Sequence, residues 1–302
     1  MDLFLYGLTV FLWGTSWITI KFQLGVVAPE VSVVYRFVIS AALMLAFCLA
    51  ARRSMRFTPA DHGFMALQGI FLFSTNYFLI YLGSQYLTTG LVAVVFSSIV
   101  VMNILGSAVL FRTPVPGKVA AGALLGLAGI ALVFWPEVQA FDMTHQGMRG
   151  LALSLLGTAS ASAGMLTSAW NQKRRGLPVI QTNAYGMVYG TLFITGLTLA
   201  RGSTFAFDPS AAYVLSLLWL AVFATVLGFW SYLTLIGRIG ADRAAYATVL
   251  FPVIALALST AFEGYQWTTL AALGVALVLV GNALVLAKSK VAGRAPAAAR
   301  PH

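Results

Sequence analysis

The sequence predicts an all-α integral membrane protein with ten transmembrane helices. Hydrophobic residues make up 60% of the chain and charged residues only 9%, whereas soluble domains carry about 25% charged residues. The mean hydropathy is +0.90, and ten apolar runs approach the ~20 residues that cross a hydrocarbon core. Because too few polar residues remain to cover a soluble surface, lipid must be the outer solvent.

The ten predicted spans follow one another with short connections. A backbone in lipid must satisfy its own hydrogen bonds, so each run should be helical. The first run lacks a basic n-region and a small-residue cleavage site, and we interpret it as a span rather than a signal peptide. The predicted spans are 3–22, 32–51, 62–83, 89–111, 117–135, 148–170, 179–200, 212–236, 243–262 and 268–287.

The basic residues predict the orientation. If the N-terminus is cytoplasmic, 14 of the 18 lysines and arginines face the cytoplasm, as the positive-inside rule requires. The outer side keeps Lys21, Arg36, Arg149 and Arg201. Both termini are therefore predicted to be cytoplasmic in a multi-pass protein of the bacterial inner membrane. Residues 288–302, rich in alanine, proline and basic residues, are predicted to be a disordered cytoplasmic tail.

An internal repeat divides the chain. A shift of 152 aligns residues 91–133 with 243–285 without a gap, and eleven positions are identical, among them Gly122/Gly274 and Gly129/Gly281. Each half contains five spans, and an odd number turns the second half upside down in the membrane. We therefore predict two inverted five-helix repeats, 1–135 and 148–287, joined by a periplasmic linker at 136–147. Inverted repeats are typical of secondary transporters, with a substrate site near the midplane.

Several short motifs occur in an order that resembles the EamA type of the drug/metabolite transporter superfamily. They are Trp13-Gly14-Thr15-Ser16-Trp17, Tyr35-Arg36-Phe37, and Phe251-Pro252-Val253 followed by Glu263, Thr268 and Gly274. The resemblance covers about residues 3–287. It is strongest to aromatic amino-acid exporters, and it implies efflux of amino acids through a central cavity lined by spans from both halves.

The polar chemistry within the spans is sparse. Every acid and histidine falls in a loop or at a span end, and no basic residue is expected at mid-span. We therefore expect neither an enzyme, nor a metal or cofactor site, nor coupling to protons or sodium, which usually needs an intramembrane ionisable group. The net charge of +10 is scattered through loops, so nucleic acid is not an expected partner. No obligatory protein partner is evident; the expected partners are the lipid bilayer and amino acids as small-molecule substrates.

Aromatic, amide and hydroxyl side chains are the candidates for substrate binding. Packing between helices or an interfacial aromatic belt would explain each of them as well. Glu263 is expected to be a structural cap or ion-pair partner rather than a ligand. The candidate substrate-binding residues are Trp13, Trp17, Asn76, Tyr77, Tyr81, Ser97, Asn103, Thr158, Trp230 and Tyr246.

The sequence thus predicts an amino-acid exporter or facilitator of broad specificity, including aromatic amino acids, methionine and threonine. It would work by alternating access, with hinges at Gly14, Gly157 and Pro252, where helical regularity is easiest to break. Three alternatives stay open: an exporter of other small metabolites or drugs, a nucleotide-sugar or phosphorylated-metabolite antiporter, and a membrane scaffold that transports nothing. The antiporter would need a basic residue inside its cavity.

Overall fold

A computed structural model of the protein describes residues 2–112, 117–133, 135, 146–239 and 247–286. Every regular element in those ranges is helical. Tyr246, the tail 288–302 and nearly all of the linker 136–147 lie outside them. We label the helices α1 Asp2–Lys21, α2 Pro29–Ala50, α3 Pro59–Gly83, α4 Thr89–Phe96 with Ile99–Phe111, α5 Gly117–Val133, α6 Gln146–Arg175, α7 Val179–Ala200, α8 Ala211–Leu218 continued by Trp219–Leu227 and Gly228–Ile239, α9 Ala247–Phe262 and α10 Thr269–Leu286.

Six of these helices are long and apolar enough to cross a membrane, namely α1, α2, α3, α4, α6 and α8. Shorter apolar stretches lie in α5, α9 and α10. Helix α7 is 22 residues long but begins with Gln181, Thr182 and Asn183. These three side chains are buried, as are Met187 and Ile194, so α7 packs both polar and apolar residues against protein.

Local sequence signals set where α2 and α3 begin. Each has a proline in its first turn, where the missing N–H costs nothing. Thr58 and Asp61 form a reciprocal capping box at the start of α3, with 3.2 Å from the Asp61 amide to the Thr58 hydroxyl and 3.0 Å from the Thr58 amide to the carboxylate. Helix α2 consequently begins at Pro29, three residues before the predicted span.

Many contacts between the described helices have a counterpart when α1–α5 are exchanged with α6–α10. Helix α1 packs on α8 and α9, as α6 packs on α3 and α4. The α3–α7 contact likewise corresponds to the α8–α2 contact, while the pairs α2–α7, α4–α9 and α5–α10 map onto themselves. A pairing of this kind is what a two-fold relation between the halves produces.

The glycines shared by the two halves lie at the contact between α5 and α10. A Cβ on Gly129 would come within 2.5 Å of the Gly274 carbonyl oxygen, and one on Gly274 within 2.6 Å of the Gly129 carbonyl oxygen. A Cβ on Gly281 would lie 2.6 Å from the Gly122 carbonyl oxygen. Because the repeat exchanges Gly122 with Gly274 and Gly129 with Gly281, the two close contacts are images of each other. Small residues allow helix backbones to approach this closely in lipid.

Helices α3 and α8 also depart from α-geometry at corresponding places. Gly69–Thr75 and Trp219–Leu227 are π-helical, and the second stretch falls at positions 67–75 after the same shift of 152. In α3 a Cβ on Gly69 would collide with the Gly186 carbonyl of α7, so the widened turn lies where two backbones touch. Single π-helical turns often mark functional sites.

Candidate functional site

A cavity of about 330 Å³ lies where α1, α2, α3 and α4 meet α6, α8 and α9. Its volume is at the lower end of the ~300–1,000 Å³ of small-molecule sites. Neither α5 nor α10 contributes to its lining. The lining residues are Trp13, Ser16, Trp17, Ile20, Arg36, Leu72, Asn76, Tyr77, Ile80, Ala93, Phe96, Ser97, Ile99, Val100, Asn103, Ile104, Met165, Ala224, Tyr232, Phe251 and Pro252.

Aromatic rings form much of one wall. The Trp13 ring lies 5.0 Å from Tyr232 and 5.4 Å from both Phe229 and Phe251, centroid to centroid. Its indole N–H donates to the Ala224 carbonyl over 2.9 Å, which ties α1 to the π-helical part of α8. Each such ring pair contributes about 0.5–1.5 kcal/mol beyond its buried area, so this wall is rigid.

Trp17, one helical turn further along α1, packs against α4. Its ring centroid lies 5.1 Å from that of Phe96, and 8% of the residue is exposed. Together the two tryptophans line the α1 side of the cavity.

Arg36 lines the cavity, whereas the sequence predicted it at the outer side of the membrane. No basic residue was expected at mid-span. In the structure Arg36 is eighth in α2, about 10 Å along the axis from Pro29, is 3% exposed and lines the cavity. The expectation of an uncharged cavity is therefore wrong. The signal that could have found it is the N1 proline, which moves the helix start outward.

The guanidinium of Arg36 is held from two directions. Its Nε and Nη2 both donate to the Thr225 hydroxyl, over 3.2 and 3.0 Å, and that hydroxyl donates to the Leu220 carbonyl over 2.8 Å. The guanidinium carbon lies 4.4 Å from the centroid of the Tyr77 ring. The Nη1 atom is buried and makes no hydrogen bond in the described structure. None of the described carboxylates forms an ion pair with Arg36.

The two candidate amides lie at the cavity but differ in what they already bind. Asn76 donates weakly to the Leu72 carbonyl over 3.3 Å, and its Oδ1 is buried without a partner. Asn103 is fully engaged, because its Oδ1 accepts from Ser162 at 2.8 Å and its Nδ2 contacts the Met165 sulfur at 3.4 Å. Asn103 therefore joins α4 to α6, whereas Asn76 keeps a free acceptor.

The structure separates the remaining candidates from the cavity lining. Tyr81 is fully buried, lies beside the Arg36 side chain and leaves its hydroxyl without a hydrogen bond. Thr158 is fully buried and donates to the Ser154 carbonyl at 2.7 Å, so its hydroxyl proton is already paired within α6. Trp230 is 49% exposed and lies outside the lining. Of the ten candidates, Trp13, Trp17, Asn76, Tyr77, Ser97 and Asn103 are brought together.

The predicted hinges are of two kinds. Gly14 and Gly157 lie in continuous helix, and a Cβ there would meet Ile254 at 2.8 Å or Ile80 at 3.1 Å, so both glycines permit close packing. Pro252 lies inside the continuous helix α9, beside the cavity, where it lacks the N–H of the helix ladder.

A helix break that was missed from the sequence lies in α4 at Ser97 and Ser98. Their hydroxyls donate to the carbonyls three residues earlier, over 2.6 and 2.7 Å. Such back-bonding competes with the helix ladder. Because the shift of 152 sets Pro252 opposite Val100, the irregularities of α4 and α9 fall close to equivalent positions.

The described acids lie away from the cavity. At the start of α4, the Glu263 carboxylate accepts from the Thr89 amide at 2.9 Å and from its hydroxyl at 2.7 Å, and Lys21 lies 4.0 Å away. Glu263 is thus a cap that connects α9 to α4. Elsewhere Glu30 pairs with Arg201 and Asp61 with Arg175. No group of acids, histidines and cysteines that could hold a metal occurs in the described ranges.

Comparison with known proteins matches the EamA-like transporter family twice, over residues 2–135 and 148–287. The protein PagO of Salmonella typhimurium is 24% identical, over 93% of this chain and 91% of its own. A probable amino-acid metabolite efflux pump of the same organism is 25% identical, over 93% of both chains. A crystal structure that covers 94% of this chain, at 18% identity, superposes with a TM-score of 0.67 and shares its fold.

Proposed function

Because the chain belongs to the EamA-like transporter family, we propose that it exports amino acids across the bacterial inner membrane. The observation that carries this proposal is the cavity between the two halves, whose lining comes from α1–α4 on one side and α6, α8 and α9 on the other. Its aromatic wall suits aromatic and methionine side chains, and its size suits one small solute. Relatives named as probable amino-acid metabolite efflux pumps, at 25% and 22% identity, support this substrate class.

Ten membrane-spanning helices, in two inverted repeats with both termini in the cytoplasm, are part of the proposal. The charge distribution supports the orientation. The two separate family matches and the two-fold packing of the described helices support the repeats. Alternating access then follows from rocking one repeat against the other around the cavity.

The state of α4 suggests which end of the cavity is closed. Its first half, Thr89–Phe96, packs on α9, where a Cβ on Gly90 would lie 2.7 Å from the Ser259 side chain. Both halves of α4 pack on α6, and the second half, Ile99–Phe111, lacks the extensive contact with α9 that the first half makes. In the proposed orientation the periplasmic end is sealed by α4, α9 and the Glu263 cap, and the break at Ser97 and Ser98 allows the two halves of α4 to move differently.

We also propose that transport is driven by the substrate gradient alone, because no described acid or histidine lines the cavity. Purified protein in liposomes should exchange labelled amino acids equally well with and without a pH or sodium gradient. Strict dependence on either gradient would overturn this part of the proposal and leave the substrate class standing.

Arg36 favours a second candidate, a carrier of small organic phosphates or of other organic anions. A cation in the cavity is what such substrates need, although a phosphate dianion is balanced better by two cations, and Arg36 is the one charged residue among the described lining residues. The same liposomes, offered a panel of amino acids, sugar phosphates and nucleotide sugars, separate the two functions. Exchange confined to the phosphorylated compounds would replace amino-acid export.

A further inference from the structure

Two cavity-lining residues each have a buried polar atom, one a donor and one an acceptor, that makes no hydrogen bond to any described residue. These atoms are the Nη1 atom of Arg36 and the Oδ1 atom of Asn76. Both residues are more than nine-tenths buried. An unpaired buried charge and an unpaired buried amide oxygen each raise the free energy of the protein. A ligand that pairs with both atoms removes this cost, and the gain adds to its binding free energy.

The hydrogen bonds of Arg36 show which of its edges is free. A guanidinium has five N–H donors in a fixed fork. The Nε and Nη2 atoms share the Thr225 oxygen, which therefore occupies the side edge of the fork. At the end edge, formed by Nη1 and the second N–H of Nη2, the Nη1 atom makes no hydrogen bond to a described residue, and the buried Tyr81 hydroxyl lies beside the Arg36 side chain. Two parallel N–H groups at that edge match the two oxygens of a carboxylate.

Thr225 and Tyr77 position this edge. Thr225 lies in the π-helical stretch of α8, where its hydroxyl also donates to the Leu220 carbonyl. The oxygen is therefore committed as an acceptor toward Arg36. The Tyr77 ring, 4.4 Å from the guanidinium carbon, covers one face of the cation. Arg36 is thus prearranged, and binding an anion at the end edge requires little reordering.

Asn76 favours a positively charged group of the ligand, whereas Arg36 favours a negatively charged one. Its Nδ2 donates to the Leu72 carbonyl, and this hydrogen bond fixes the amide so that Oδ1 is the free end. A carbonyl oxygen accepts but cannot donate, so it suits an ammonium group. Asn76, Tyr77 and Arg36 all line the same cavity, so a single small solute can approach both Asn76 and Arg36.

The geometry points to a zwitterion site, in which the Arg36 end edge binds the α-carboxylate and Asn76 Oδ1 accepts from the α-ammonium of an amino acid. The inference rests on the proposed amino-acid export and deepens it, because it assigns the recognition of the amino-acid backbone to two residues. The aromatic rings of Trp13, Trp17 and Phe96 then contact the side chain of the bound amino acid. Specificity is strict for the charged groups and broad for the side chain.

The test uses the wild-type protein in liposomes and competition for exchange of labelled L-phenylalanine and L-methionine. Each amino acid is compared with its amide, which lacks the carboxylate, and with its deaminated acid, which lacks the ammonium. A charge-assisted hydrogen bond contributes about 1.5–3 kcal/mol, so each missing group should weaken competition by about 10- to 100-fold.

Variants assign each loss to one residue. In Arg36→Gln the amino acid should compete about as weakly as its amide does in the wild type, and the two compounds should become equal. Arg36→Lys should recover only part of the difference, since a lysine cannot form the bidentate pair. In Asn76→Leu the amino acid and its deaminated acid should become equal. Arg174→Gln, which removes an exposed arginine outside the cavity, is the matched control and should resemble the wild type.

The outcomes separate the inference from the function. If the wild type exchanges both amino acids but accepts the amides and deaminated acids equally well, the zwitterion site is wrong and amino-acid export stands. If the wild type exchanges neither amino acid, the export proposal fails and the site fails with it. The wild-type comparison alone decides these cases, so the inference stays testable even if Arg36→Gln does not fold.

Discussion

The contact between α5 and α10 gives a prediction that isolates stability from transport. Gly129→Ala places a Cβ 2.5 Å from the Gly274 carbonyl oxygen, where ordinary contacts begin at 3.4 Å. Because the obstructing atom is backbone, the two helices must separate by about 1 Å. A gap of that size forfeits about a quarter to a half of the dispersion energy of the atoms that lose contact. We expect overpacking to lower the free energy of unfolding by about 1–3 kcal/mol. The better helix propensity of alanine offsets about 1 kcal/mol of this loss.

Gly126→Ala is the control in the same helix, because a Cβ there meets nothing within 4 Å. It should leave the free energy of unfolding unchanged or raise it by about 0.5–1 kcal/mol. Unfolding in detergent, followed by tryptophan fluorescence, measures both variants, and exchange per folded molecule should stay at the wild-type rate because α5 and α10 do not line the cavity. The double variant Gly129→Ala/Gly274→Ala should lose less stability than the sum of the two single losses, because one separation of the helices accommodates both methyl groups. Equal stability of Gly129→Ala and Gly126→Ala would refute the reasoning.

Three further substitutions test other contacts. Glu263→Gln removes the charge from the cap on Thr89 and should lower the free energy of unfolding by about 1–2 kcal/mol; a wild-type melting curve would contradict this role. Pro252→Ala restores a helical N–H and should raise thermal stability. If the missing hydrogen bond at Pro252 lets α9 bend during transport, exchange by this variant should be severalfold slower. Unchanged exchange would show that Pro252 has no role in transport. Trp13→Phe keeps an aromatic ring but loses the indole hydrogen bond to the Ala224 carbonyl, and should lower the free energy of chemical unfolding by about 1 kcal/mol. A larger loss on Trp13→Phe would mean that ring shape matters more than the hydrogen bond.

Hydropathy and repetition predicted much of the fold. Length and apolarity of the runs anticipated the helices within a few residues, because a backbone in lipid has few alternatives to a helix. The shift of 152 identified Gly122, Gly129, Gly274 and Gly281 before their contact was known. At these four glycines the missing side chain allows the backbones of α5 and α10 to touch, whereas a Cβ on Gly126 in the same helix would meet nothing within 4 Å.

The cavity was predicted only in part. Trp13, Trp17, Asn76 and Tyr77 were found because polar and aromatic groups at mid-span need a reason to be there. Trp230 satisfied the same criterion and is half-exposed on the outside of the described helices, whereas Arg36 was excluded by a helix boundary placed three residues too late. An error of less than one turn was enough to move a charge from the surface to the interior.

The sequence by itself determined the class, the order of the helices and their internal repetition, since these depend on what lipid and backbone hydrogen bonding demand of every segment. Only the tertiary structure decided which side of each helix faces the cavity. Lipid tails are as apolar as leucine, so a membrane helix does not need the polar outer face that marks the orientation of a helix in water. Inside and outside therefore look alike in the sequence, and the free edge of Arg36 and the free oxygen of Asn76 become visible only when the neighbouring helices are in place.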